Sequence, residues 1–240
     1  MSVVWEIKRK GEFSRLPDSI VERAAEVSDN DVKKSRALLR KYFGVFLTNK
    51  VLKGRGDLLQ VHMSSRKRDY EKFYEEIFSE IKDVGSVVDL GCGANGFSYE
   101  HLPKGVNYVG VEAAGQLVDH MNKYFEVEGF SAKAVVGDLF DIESILKILR
   151  KSKKPRVVFL FQVVDALENL ERDFSKKFIL EISEECETIV LSLSTESLGG
   201  RKKFAVQRRW IVDFLLENFE IRKDSKMNGE RVLIFEKTNN

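Results

Sequence analysis

Three carboxylates and two glycines in the middle of the chain have the spacing of a nucleotide site. The run V-D-L-G-C-G-A-N-G extends from Val88 to Gly96. A short apolar stretch (Val84, Val87, Val88) leads into Asp89, and a Gly91-x-Gly93 turn follows at once. Glycine is needed where a backbone turns tightly and lets a ligand lie against it. Gly91, Gly93 and Gly96 also have the spacing G-x-G-x-x-G of dinucleotide sites, but the acid before the turn sets it apart from that form. Glu112 comes about 20 residues later, ending the run Tyr108 to Glu112, where an α/β nucleotide site places a carboxylate for the ribose hydroxyls. Ala113, beside it, belongs to the same contact. Asp138 ends the run Ala134 to Asp138. Its carboxylate can accept from an adenine 6-amino group, with Leu139 beside the ring. Any one of these acids also reads as a helix N-cap after a strand. Three of them, each at a strand end and correctly spaced, favour the cofactor reading.

Two further polar residues, Gln162 and Asp165, follow a fourth apolar run and therefore fall at the same edge. Gln162 there can align a reacting group, and both residues can equally cap the next helix. Cys92 sits inside the glycine turn and reads as a small filler rather than a nucleophile.

The elements that must position these residues follow from the pattern. Strands are expected near 86–90, 107–112, 132–136, 156–163 and 187–193, and helices near 115–128, 142–152 and 170–185. This alternation argues for a parallel sheet with helices on both faces. The end of the chain differs. Phe219 to Ile221 and Arg231 to Phe235 read as two strands, and Asn228-Gly229 between them suits an antiparallel hairpin. Residues 1–80 read as mostly helical. Ser28 to Asp31 is a capping cluster, after which Val32, Leu38, Leu39, Tyr42, Phe43 and Phe46 recur at a helical period. Gly54-Arg55-Gly56 marks a loop. Residues 68–81 form an amphipathic helix with Tyr70, Phe73, Tyr74, Ile77 and Ile81 on its core face. The expected organisation is an N-terminal helical part, 1–80, and an α/β part, 81–240.

Composition narrows the class. Apolar residues make up 43% and charged residues 32% of the 240 positions, as in a globular protein. No apolar run is long enough to span a membrane, and Met1 to Lys10 lacks the apolar stretch of a secretory signal. Cys92 and Cys186 are too few for a disulfide framework or a zinc site. A cytoplasmic location with no membrane contact and no metal is the expectation. Net charge is only +2, yet eleven basic residues fall between Lys33 and Arg68 against one acid, Asp57. They are Lys33, Lys34, Arg36, Arg40, Lys41, Lys50, Lys53, Arg55, Arg66, Lys67 and Arg68. Acidic partners four residues away are missing, so the patch is not neutralised along its own helix. It should attract a polyanion in a salt-dependent way. Arg201, Lys202, Lys203, Arg208 and Arg209 form a second basic group after the fifth strand.

Several stretches together resemble the aminoglycoside-resistance family of small-subunit ribosomal RNA methyltransferases, which modify guanine N7. Asp89-x-Gly91-x-Gly93 is the form that the glycine turn takes in S-adenosylmethionine (SAM) methyltransferases. Leu58 to Arg68 is similar to the family's L-L-x-x-H-x-S-T-x-E-R. Gly91 to Asn95 matches its G-C-G-x-N. Leu193 to Lys203 resembles F-P-T-[KR]-S-L-G-G-R-x-K, the most specific piece. The chain departs from the family at Gly96, where the family has Pro, at Ser194-Thr195-Glu196, where it has Pro-Thr-Lys or Pro-Thr-Arg, and at Gln162, where it has Lys.

The resemblance implies a Rossmann-like SAM-dependent fold, a mostly parallel seven-stranded sheet with a reversed last strand, plus the N-terminal helical subdomain. It implies SAM as cofactor and Arg68 as the partner of the methionine carboxylate, for which a guanidinium fork is suited. It implies ribosomal RNA or the small ribosomal subunit as partner. The RNA contacts would be Lys33, Lys34, Arg40, Lys41, Arg66, Arg201, Lys202 and Lys203, with a monomer expected. Guanine N7 carries an exposed lone pair and loses no proton, so no general base is required. The Asx-Pro-Pro-aromatic motif for exocyclic amines and a nucleophilic Cys for pyrimidine C5 are both missing. The rival readings are a methyltransferase acting on another RNA (tRNA or an rRNA adenine), one acting on a small molecule, and an RNA-binding module without activity.

Overall fold

The computed structural model describes residues 2–44, 46–48, 59, 68–195 and 208–238. Three helices come first: α1 (Val3–Lys8), α2 (Asp18–Val27) and α3 (Val32–Phe43). Asp31 caps α3 by accepting from the Lys34 amide at 2.8 Å. Before it, Asp29 and Asn30 both take positive φ, so the α2–α3 turn is made by the residue types that tolerate it. Helix α4 (Tyr70–Phe78) is capped by Asp69 and buries Tyr70, Phe73, Tyr74 and Ile77, the face expected from its periodicity.

Seven strands then form one sheet in the order β3-β2-β1-β4-β5-β7-β6. They are β1 (Ser86–Leu90), β2 (Asn107–Glu112), β3 (Ala132–Val136), β4 (Arg156–Phe161), β5 (Thr188–Ser194), β6 (Phe219–Met227) and β7 (Glu230–Lys237). The first five are parallel, and β7 runs antiparallel to both β5 and β6. Asn228 and Gly229 turn the last hairpin with φ of 51° and 81°, the two left-handed residues such a turn requires. The helices between strands are α5 (Gly115–Glu128), α6 (Ile142–Lys151), α7 (Val164–Leu170), α8 (Phe174–Ser183) and α9 (Arg209–Asn218). Two expectations are corrected. The strand expected to reach 163 stops at Phe161, because Gln162 takes φ +58°. The helix expected over 170–185 starts only at Phe174, as α8, and a separate helix, α7, precedes it. The break falls at Asp173, which is also left-handed, and the Glu168 carboxylate caps α8 through the amides of Asp173 and Ser175.

Side chains alternate across the sheet and divide the interior into two apolar clusters. Val87, Tyr108, Phe159 and Val190 pack with α4, α5 and the first three helices through Ile7, Val21 and Leu39. Val88, Val111, Val158 and Leu191 pack with α6, α8 and α9. The N-terminal helices and the sheet therefore bury one another. Strand order reverses between β1 and β4, whose neighbours β2 and β5 continue on opposite sides. In open α/β sheets the crevice beyond such a switch point takes the ligand. Among the described residues, no helix is long and apolar enough to cross a membrane.

Candidate active site

The glycine turn lies at that switch point. Gly91 and Gly93 take φ of 72° and 51°, which L side chains adopt only with strain. The amides of Gly91 and Cys92 donate to the Val111 carbonyl at 2.8 and 3.0 Å, tying the turn to the end of β2. Glu112 is buried and braces the same turn. Its Oε2 accepts from the Gly93 amide and its Oε1 from the Ala114 amide, each at 2.9 Å. Burial pushes its carboxyl above the ordinary value, and the backbone donors hold the rise down. The Ala113 amide also faces it, and the carboxylate's remaining acceptor capacity suits a ribose hydroxyl. Asp138 is half-buried at the end of β3, and its Oδ1 accepts from the Phe140 amide at 2.9 Å. Gly91, Glu112, Ala113, Asp138 and Leu139 line one pocket at the ends of these strands.

Behind the turn runs a chain of buried polar groups. Asp89 is fully buried, and its Oδ2 accepts from Asn95 Nδ2 at 2.7 Å and Tyr108 Oη at 3.0 Å. Its Oδ1 has no partner among the described residues. Burial pushes the Asp89 carboxyl up to about 6 against those hydrogen bonds. Asn95 Oδ1 accepts from Arg68 Nη1 at 3.2 Å, and Arg68 donates through Nε and Nη2 to both oxygens of Glu230, each at 2.9 Å. The guanidinium is packed between Phe73 and Phe161, 4.7 and 4.8 Å from their ring centres. Burial of Glu230 would raise its carboxyl, but Arg68, Ser192 and Gln162 together hold it below the ordinary value. Arg68 thus commits at least three of its five N–H groups within the protein.

A cationic amino-acid nucleoside fits this donor set. Carboxylates stand where adenosine would lie. An unpartnered buried oxygen, Asp89 Oδ1, suits positive charge at the amino-acid end.

Gln162 holds its left-handed backbone at the end of β4, with its amide bonded to the Ser192 carbonyl at 3.0 Å. A side chain in that conformation is strained, and such strain gathers at functional edges. Asp165, in the first turn of α7, makes a two-point ion pair with Arg208 through Nε and Nη2. Arg209 is exposed at the start of α9.

The basic patch divides. Lys33, Lys34, Arg40 and Lys41 are all exposed on α3. Arg36 is instead used internally, bonded to the carbonyls of Glu6 and Ile7 at the end of α1. Helix α3 holds no acid of its own, as expected, but Arg40 finds a partner from another segment. Its guanidinium pairs with Glu12, which is distant in sequence and close in the fold. Lys50, Lys53, Arg55, Arg66, Lys67, Arg201, Lys202 and Lys203 lie outside the described residues, as do the 54–56 loop and most of the 58–68 and 193–203 stretches.

Sequence reasoning passed over Glu230, Ile20 and Phe43. A lone acid between Asn228-Gly229 and the apolar run Val232 to Phe235 was the available signal for Glu230. Ile20 and Phe43 line the pocket with Asp138, but as ordinary apolar helix residues they gave none. Gly96 has a local explanation. A Cβ there would lie 2.7 Å from Met121 Sδ and 3.1 Å from Phe125 Cζ, so a larger residue requires both side chains to shift.

A family model described as a methyltransferase domain matches residues 62–205, more than half of the chain. The chain belongs to the methyltransferase-domain family. It is a SAM-dependent methyltransferase. No curated protein matches this methyltransferase significantly in sequence. Its fold is that of several solved structures over nearly their whole length. The 16S rRNA methylase RmtB superposes with a TM-score of 0.75 at 18% identity, covering 98% of this chain and 97% of that one. The 16S rRNA methyltransferase RmtF, solved with S-adenosyl-L-homocysteine, gives 0.74 at 16%, again covering 98% and 97%. An rRNA methylase from Escherichia coli gives 0.71 at 16% and covers 98% of both chains.

Proposed function

We propose that this methyltransferase modifies small-subunit ribosomal RNA at N7 of a guanine, as a divergent relative of the resistance-type enzymes. One observation carries the reading. The likeness to the rRNA methylases RmtB and RmtF covers 98% of this chain, so it includes the N-terminal helices that a methyltransferase domain starting at residue 62 lacks. Those helices present Lys33, Lys34 and Lys41 to solvent, and a polyanion is the partner such a face fits. Arg66 and Arg201 to Lys203 extend the proposed contact by sequence. A monomer in the cytoplasm is the expected working form.

When bound, SAM supplies a methyl group on a sulfonium, which any aligned lone pair can displace in line. The protein's task is then alignment rather than proton removal. Glu112 and Asp138 hold the adenosine half from the ends of β2 and β3. Arg68 and Asp89 receive the amino-acid half from behind the turn. Gln162 stands at the edge where the base enters and orients it. Asp165 holds Arg208 and so fixes the start of α9; engaged in that pair, it is not free to act as a base. N7 methylation needs none.

The test is direct. The enzyme should transfer tritium from labelled SAM to purified 30S subunits. Borohydride reduction and aniline treatment should then cut the 16S RNA at one guanine, because an N7 methyl makes the glycosidic bond labile. Label found by nucleoside mass spectrometry in adenosine or cytidine would overturn the N7 assignment. Label confined to tRNA or to a small molecule would overturn the substrate as well.

A further inference from the structure

The first three helices do more than cover the sheet. Ile20 of α2 and Phe43 at the end of α3 line the pocket that holds Glu112, Asp138 and Leu139. Phe46 continues this wall over the glycine turn: a Cβ at Gly93 would lie 2.7 Å from its ring. The methyltransferase-domain model begins only at residue 62, so the wall lies outside what the family at large shares. Across the pocket stand Ala166 and Leu167 of α7. The seam between the two sides is bridged at its rim. Arg23 of α2 pairs with Glu171 and lies 4.3 Å from the centre of the Phe140 ring, itself part of the pocket. Lys41 of α3 reaches to 3.5 Å from Asn169 Oδ1 of α7.

Helix α3 therefore has two working faces. One end of its inner face closes the cofactor pocket, while Lys33, Lys34 and Lys41 project from its surface. Lys41 stands at the seam itself, and Arg208, on the α7 side, is anchored on Asp165. A polyanion laid along α3 and across to α9 spans the two sides and resists their separation.

We propose that Ile20 and Phe43 form the outer wall of the cofactor site against the adenosine half, and that RNA docked on α3 tightens the hold on the cofactor. The second half rests on the RNA reading above; the first does not. The coupling is reciprocal, since a substrate that tightens cofactor binding is itself bound more tightly by the same factor when cofactor is present.

Calorimetry on the full chain tests both halves. Phe43→Ala should weaken S-adenosyl-L-homocysteine and 5′-methylthioadenosine equally, by about tenfold, the factor that burying roughly half of a phenyl ring supplies. Methylthioadenosine carries only the nucleoside half, so a shared loss locates the contact there. Phe43→Leu should recover most of the affinity, and an unchanged melting temperature for that variant separates the contact from misfolding. Equal methylthioadenosine binding by wild type and Phe43→Ala would overturn the wall. For the coupling, saturating 30S subunits should tighten S-adenosyl-L-homocysteine binding at least about fivefold, and Phe43→Ala should lose this gain. If 30S subunits bind and cofactor affinity does not move, the coupling is wrong and the RNA reading stands. If 30S subunits do not bind at all, the RNA reading and the coupling fall together, and the wall is still decided by methylthioadenosine.

Discussion

Two arginine–glutamate pairs in this molecule use the same chemistry in opposite settings. Arg68 and Glu230 have side chains 4% and 2% exposed, whereas Arg40 and Glu12 are 41% and 30% exposed. The buried pair stands behind the glycine turn, joined to Asn95 and Gln162. The exposed pair stands on the basic face of the N-terminal helices, beside cations that remain open to solvent. A buried charge must have a partner, and losing one partner leaves the other stranded in a medium that cannot solvate it. An exposed charge loses little when its partner goes, because water and salt replace it. The same contrast separates the two tasks of the enzyme. Holding a small cofactor calls for charges fixed in place, and meeting a polyanion calls for charges that remain available.

The contrast is broken most strongly at Glu230. Glu230→Ala should cost about 3–5 kcal/mol in stability, read as a lower urea midpoint, while Glu12→Ala should cost at most about 1 kcal/mol. Similar losses for the two would remove the distinction.

Asp89 sharpens it through pH. Its folded pKa of about 6 lies above the unfolded value of 3.8, so the folded state binds the extra proton between those limits. The stability it contributes is complete below about pH 4 and is lost as pH rises through 6. The shift of about two pKa units corresponds to roughly 3 kcal/mol. Asp89→Asn should flatten the wild-type fall in stability between pH 4 and 6, measured by urea titration at each pH. An identical pH profile in the variant would show that another group carries the slope.

Glu112 comes next in size. Removing its carboxylate should weaken SAM by roughly 1.5–3 kcal/mol, the worth of a charged hydrogen-bond acceptor, or about tenfold or more by calorimetry. Wild-type affinity in Glu112→Ala would sink its assignment to the ribose. The smallest effect on the folded protein belongs to the exposed lysines. Replacing Lys33 and Lys34 with Gln should leave the melting temperature and SAM affinity nearly unchanged. Each lost phosphate contact should reduce the log–log salt slope of RNA binding by about 0.7–0.9. An unchanged slope would show that these cations are merely solvated.

The parallel strands and their acids were legible because each signal is local. An apolar run, an acid at its end and a glycine turn are written within a few residues, and β1, β2 and β3 lie where that pattern puts them. The 164–170 helix was not, since Gln162 takes a left-handed backbone that its residue type does not announce. Arg68 was singled out from the resemblance, and its partner Glu230, 162 residues away, was invisible until the last hairpin folded back onto β5.

What the sequence determined by itself is the order of elements, the glycine turn and the set of carboxylates at three successive strand ends. These follow from hydrophobic period and backbone stereochemistry, which act over a few residues. Only the tertiary structure decided which charges are paired and which are free, and that helices at the start of the chain close a pocket built at its middle. Those outcomes depend on desolvation and on contacts between distant segments, and neither is encoded in the spacing of neighbours.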